Sequence, residues 1–98
     1  MEIKFEHGEN FVITLVGRLD TVTSTEVSDA IAKEKISEPL VIIEAKDVEY
    51  ISSAGLRLLL ALKKTLNANG QNLEIHHLNP INEEVFRVTG FNNILTIK

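Results

Sequence analysis

Polar and apolar residues alternate over Glu2-Ile3-Lys4-Phe5-Glu6, which predicts a strand buried on one face. Turn-forming residues follow at His7-Gly8-Glu9-Asn10. In the next run Phe11, Ile13 and Leu15 share one face, and Val12, Thr14 and Val16 the other. Both faces are largely apolar, so this second strand is expected further inside. The short turn implies an antiparallel hairpin. Gly17-Arg18-Leu19-Asp20 ends the strand. Thr23-Ser24-Thr25-Glu26 has the spacing of a capping box, and Val27, Ala30 and Ile31 recur at helical intervals. A first helix is therefore predicted, ending near Lys35, with a break at Glu38-Pro39.

The longest organised stretch comes next. Leu40-Val41-Ile42-Ile43-Glu44-Ala45 reads as a strand buried on both faces. Lys46-Asp47-Val48-Glu49-Tyr50 reads as a polar loop. After Ile51-Ser52-Ser53, the recurrence of Leu58 or Leu59, Leu62 and Leu66 predicts a second helix, closed by Gly70. Asn72 to Leu78 reads as a strand with Leu73, Ile75 and His77 on one face and Glu74, His76 and Leu78 on the other. Asn79-Pro80 suits a helix start. Ile81, Val85 and Val88 mark a third helix that Gly90 stops, and Phe91 to Leu95 should pack back on the domain, at most as a turn or short strand.

The order predicts an α/β domain with a mixed sheet of about four strands: an N-terminal hairpin, then parallel strands joined by right-handed helical crossovers. The helices should lie mainly on one side. The 98 residues suit one domain spanning 1–98, and 44% hydrophobic residues are enough for a core. There are no cysteines, which excludes disulfides, thiolate metal sites and cysteine nucleophiles. A net charge of −4 argues against nucleic acid as the partner. No run is long and apolar enough for a membrane span, and no signal peptide is evident at Met1, so a cytoplasmic protein without membrane partners is expected.

Catalytic patterns are missing. A nucleophile elbow needs glycine two residues before its serine, and Ile51 stands there before Ser53. His76 and His77 are neighbours on a predicted strand and should point to opposite faces, which disfavours both a catalytic base and metal chelation. His7 lies in a turn and is read as solvated. Glu83-Glu84 and Lys63-Lys64 are read as solvated pairs at favourable helix ends. The expectation is a protein that is not an enzyme and needs no cofactor. Two places stand out instead. Asp20 and the Ser52-Ser53 pair each follow a strand and precede a helix, so they should share the C-terminal edge of a parallel sheet. Either could be a plain helix cap, but a phosphate on such a serine would also be well placed.

Val48-Glu49-Tyr50-Ile51-Ser52-Ser53-Ala54-Gly55-Leu56 resembles the phosphorylation-site segment of STAS domains, and more closely that of bacterial anti-sigma factor antagonists. Gly17-Arg18-Leu19-Asp20 resembles the signature before the first helix of that family, and Val88-Thr89-Gly90-Phe91 through Ile94 resembles its C-terminal segment. The resemblance covers nearly the whole chain and implies the STAS fold. It places the phosphoserine on Ser53, with Ser52 second as acceptor in a position usually held by an acidic residue. It implies a partner surface at Asp20, Ser52, Ser53, Ala54, Gly55 and Leu56. The function it implies is partner switching: the unmodified form binds an anti-sigma factor serine kinase and releases a sigma factor, and a metal-dependent serine phosphatase resets the switch. The alternative is a non-switching STAS subunit of a lipid-transport or stress-signalling complex.

Overall fold

The computed structural model describes residues 1–98. Strands β1 (Glu2–Glu6) and β2 (Phe11–Leu19) form the hairpin, and helix α1 (Thr21–Ala32) leads to β3 (Leu40–Ile51). Then come α2 (Ser53–Ala68), β4 (Asn72–His76), α3 (Pro80–Thr89), a 3-10 turn (Phe91–Asn93) and β5 (Thr96–Ile97). The five-stranded sheet has the order β1-β2-β3-β4-β5. Only β1 with β2 is antiparallel; the other pairs are parallel. The mixed α/β sheet matches expectation, and β5 adds a fifth strand to the four foreseen.

The core lies on one face of the sheet. Phe11, Ile13 and Leu15 of β2, Val41, Ile43 and Ala45 of β3, and Leu73 and Ile75 of β4 are all buried there. Val27 and Ile31 of α1, Leu56, Leu59 and Leu66 of α2 and Phe86 of α3 join the same cluster. The opposite residues, among them Leu40, Ile42 and Glu44, are only partly covered. The strand read as buried on both faces is thus buried on one.

The larger correction concerns Lys46 to Tyr50, which are strand and not loop. The periodicity that should have disclosed this is broken by two register shifts between β2 and β3. Val16 pairs with Asp47 although Thr14 pairs with Glu44, and Arg18 pairs with Tyr50 although Gly17 pairs with Val48. Each shift adds a residue to β3. Burial therefore passes from every second residue (Val41, Ile43, Ala45) to every third (Val48, Ile51). Such bulges bend and twist a strand and are frequent beside functional sites.

Helix boundaries also moved. Asp20, not Thr23, caps α1, and the helix ends at Ala32. Gly70 closes α2 as expected: with φ 75° it lets the Gly70 and Gln71 N–H groups reach the Asn67 and Leu66 carbonyls. At the end of β4, His77 adopts φ 61°, so alternation stops and Leu78 turns into the core. The same kink brings the His76 and His77 rings to 5.8 Å, where strict alternation would have parted them. His7 is not simply solvated. It stacks on Phe11, with Nδ1 2.7 Å from Glu38 and Nε2 3.0 Å from Glu34. Those two hydrogen bonds, Glu34 first, raise its pKa.

Helix α3 starts at Asn79-Pro80 and stops at Gly90 as expected, but presents another face to the core. Ile81 and Val88 are exposed, while Asn82 and Phe86 are buried. The polar member of that pair has a reason to be there. Strand β4 pairs with β3 only from Leu40 to Glu44, so the rest of β3 has no strand on that side. Asn82 takes its place. Its Oδ1 accepts the Ile51 N–H at 3.1 Å, and its Nδ2 donates to the Val48 carbonyl at 3.0 Å. Asn79 Nδ2 donates to the Val48 and Glu49 carbonyls, each at 3.2 Å. Removing Asn82 leaves a buried N–H without a partner and weakens a buried carbonyl. Asn82→Ala is expected to destabilise the domain by about 2–3 kcal/mol, lowering Tm by roughly 10–20 °C in a thermal melt.

Candidate functional site

Because β2, β3 and β4 run parallel, the three helices that follow them all begin at one edge of the sheet. Their N-caps are Asp20, Ser52 and Asn79. The middle one belongs to α2, and the site is built around it.

Leu19 and Ile51 pair at the ends of β2 and β3, and the Ser52 N–H donates to the Leu19 carbonyl at 2.9 Å. This bond sets the Ser52-Ser53 loop beside the Leu19-Asp20 corner, so Asp20 and the serines do share an edge. The Ser52 hydroxyl oxygen accepts the Gly55 N–H at 3.3 Å and so caps α2. Ser53 is the first residue of α2 and is exposed. Ala54 is half-buried, whereas Gly55 and Leu56 are buried and face inward. From Ser52 to Leu56, then, Ser53 is the one exposed residue, and Gly55 and Leu56 hold the turn from below.

Gly55 is set by space. A Cβ there would lie 2.9 Å from both Ile51 Cγ2 and Leu19 Cγ, closer than carbon atoms approach. The first turn of α2 rests directly on the paired strand ends, and only glycine permits that contact.

Asp20 makes a reciprocal cap. Its Oδ1 accepts the Val22 and Thr23 N–H groups at 3.1 and 3.0 Å, and its own N–H donates to Thr23 Oγ1 at 2.8 Å. The Thr23 hydroxyl donates on to the Arg18 carbonyl at 2.6 Å. The Thr23 N–H first, with the Val22 N–H and the Arg18 charge, holds the Asp20 carboxyl below its usual range, against the opposing effect of desolvation. At neutral pH the group is anionic.

Sequence reasoning missed what surrounds these residues. Val22 and Ile81, each one residue past the start of α1 and α3, are 69% and 66% exposed. Tyr50 is also exposed, with the Arg18 guanidinium 5.0 Å from its ring centre. Large apolar side chains thus stand on three elements at the edge that carries Ser53. The available signal was a large apolar residue two positions after the Asp20 and Asn79 caps, outside the buried stripe. No group of three or more His, Asp or Glu side chains is arranged to hold a metal ion.

A family model described as "Mlab, STAS domain" matches residues 5–96. The chain belongs to the STAS domain family. Among relatives of this STAS domain, the anti-sigma-B factor antagonist of Listeria monocytogenes is 27% identical over 99 residues, covering 100% of this chain and 87% of that protein. A crystal structure of an anti-sigma factor antagonist from Mycobacterium paratuberculosis superposes with TM-score 0.79 at 22% identity, over 98% of this chain and 83% of that one. The Bacillus cell fate determinant SpoIIAA in its phosphorylated form gives TM-score 0.66 at 21% identity, over 99% and 91%. The two structural likenesses establish the shared fold.

Two measurements check this geometry. Gly55→Ala sets the cost of overpacking, about 1–3 kcal/mol, against a gain of roughly 1 kcal/mol in helix propensity. The expected net result is a Tm lower by about 5–10 °C. For Asp20, the lowered pKa makes its stabilisation complete above the ordinary carboxylate pKa and lost as pH falls through the lowered value. Asparagine caps about as well without the charge. Denaturant titrations should therefore show a stability gap between wild type and Asp20→Asn that is constant from pH 7 to pH 5 and narrows below about pH 4.

Proposed function

We propose that this STAS domain is an anti-sigma factor antagonist that works by partner switching, with Ser53 as the phosphoacceptor. The observation that carries the reading is the division of labour between the serines: the Ser52 hydroxyl is taken up as the cap, while Ser53 is exposed at the first position of the helix. The names of the relatives, anti-sigma factor antagonists that match along the whole chain, support the same reading. In its unmodified form the domain binds an anti-sigma factor serine kinase through Asp20, Ser52, Ser53 and Ala54, with Val22, Tyr50 and Ile81 as apolar contacts and Gly55 and Leu56 supporting them from within. Binding frees a sigma factor. The kinase phosphorylates Ser53 and the complex weakens; a metal-dependent serine phosphatase restores it. The domain is ligand and substrate, works in the cytoplasm, and performs no catalysis of its own.

The switch acts at the surface. Phosphorylation changes the charge from −4 to about −5.5 or −6. At a helix N-terminus this stabilises by only about 0.3–1 kcal/mol, too little to reshape the fold. In the complex the phosphate must be desolvated against a surface fitted to a neutral hydroxyl. A penalty of about 3 kcal/mol weakens binding roughly a hundredfold.

A second reading, a non-switching subunit of a larger assembly, is favoured by Ser52 standing where the family carries an acidic residue, and by the family model's description. One experiment separates the two. Incubation with the cognate kinase, ATP and magnesium should add one phosphate to wild type and none to Ser53→Ala, as read by intact mass. Partner affinity of the phosphorylated form should fall about a hundredfold while its Tm moves by only a few degrees. A phosphate mapped to Ser52 would refute the assignment, and no phosphate at all would favour the second reading.

A further inference from the structure

The chain has three arginines, and two of them are engaged. Arg87 pairs with Glu84, and Arg18 lies over the Tyr50 ring. Arg57 is exposed and meets no carboxylate. It stands four residues after Ser53 on α2, and residues at that spacing are neighbours on a helix surface, about 5–6 Å apart at Cβ.

The carboxylates that could compete for Arg57 from the neighbouring elements are otherwise placed. Asp20 is held by the first turn of α1, and Glu26 lies 4.0 Å from the Met1 amino group. Glu49 and Asp29 are exposed and make no ion pair with Arg57. The lysines of α2 are too far along the helix to reach its first residue: Lys63 and Lys64 stand ten and eleven residues after Ser53.

We propose that Arg57 is the partner, within the same helix, of a phosphate on Ser53. An anion N-terminal to a cation at this spacing has the more favourable orientation on a helix. A guanidinium can also meet two phosphate oxygens at once. The pairing has a consequence for the switch, and here the proposal rests on the reading of Ser53 given above. In the unmodified protein Arg57 is a free cation beside the partner surface. After phosphorylation its own helix neutralises it. The surface then gains a dianion and loses an available cation in a single step.

The test uses phosphoserine incorporated at position 53 during synthesis, so that it needs no kinase. Phosphorus NMR titration then reads the second ionisation of the phosphate directly. A neighbouring guanidinium favours the dianion, so its removal should raise that pKa. An exposed pair of this spacing corresponds to a shift of about 0.2–0.4 pH unit. Arg57→Ala should show the rise, Arg57→Lys should retain most of the wild-type value, and Lys64→Ala should not differ from wild type. The helix dipole acts equally in all four proteins. Identical titrations for wild type and Arg57→Ala would overturn the pairing, as would an equal rise in Lys64→Ala, which would mean that only overall charge matters. Failure of the Ser53 reading appears elsewhere, in the kinase mass shift on unmodified protein, so the two outcomes stay distinct.

Discussion

Strand β3 is longer than the strand beside it, and the fold depends on how the overhang is satisfied. A buried peptide group without a hydrogen-bond partner costs about 1–3 kcal/mol, and β3 passes its last pairing with β4 at Glu44, seven residues before it ends at Ile51. On one side β2 continues to pair with it. On the other, Asn79 and Asn82 reach across from the start of α3 to Val48, Glu49 and Ile51. One contact thus does two things. It completes the sheet where no strand is present, and it fixes the start of α3 beside that of α2.

With β3 held in the sheet as far as Ile51, the rest of the site follows. The Leu19–Ile51 pair forms a floor on which only a glycine lets α2 begin. The Ser52 hydroxyl then turns inward to cap, which leaves Ser53 as the outward group. The serine sits between two other helix starts and among exposed apolar side chains. The bulges in β3 contribute as well: by shifting burial to every third residue they expose Glu49 and Tyr50 next to the serine turn.

Much of this was legible in the chain. Regular alternation marked β1 and β2, glycines and Asn79-Pro80 marked helix ends, and the segment from Val48 to Leu56 carried a family pattern specific enough to locate the serine turn. What misled were places where a tertiary contact replaced the local rule. Lys46 to Tyr50 looked like a loop because a bulged strand loses its period of two. Ile81, Val85 and Val88 marked the helix correctly, but apolar spacing did not disclose its covered face: Val85 packs against the core while Ile81 and Val88 are exposed. Asn82 drew no notice because its partners lie 31 and 34 residues away.

The sequence by itself determined the order of elements, the mixed sheet and the edge at which Asp20 and Ser53 meet. These follow from local periodicity, turn chemistry and the handedness of crossovers. Tertiary structure alone decided which serine is bound and which is free, which face of α3 is covered, and why position 55 has no room for a side chain. The covered face of α3 and the space at position 55 depend on contacts between residues remote in sequence, Asn82 with Val48 and Ile51 and position 55 with Leu19, which spacing along a chain does not encode. The Ser52 cap is a local bond to Gly55, made where the Ser52 N–H reaches the remote Leu19 carbonyl.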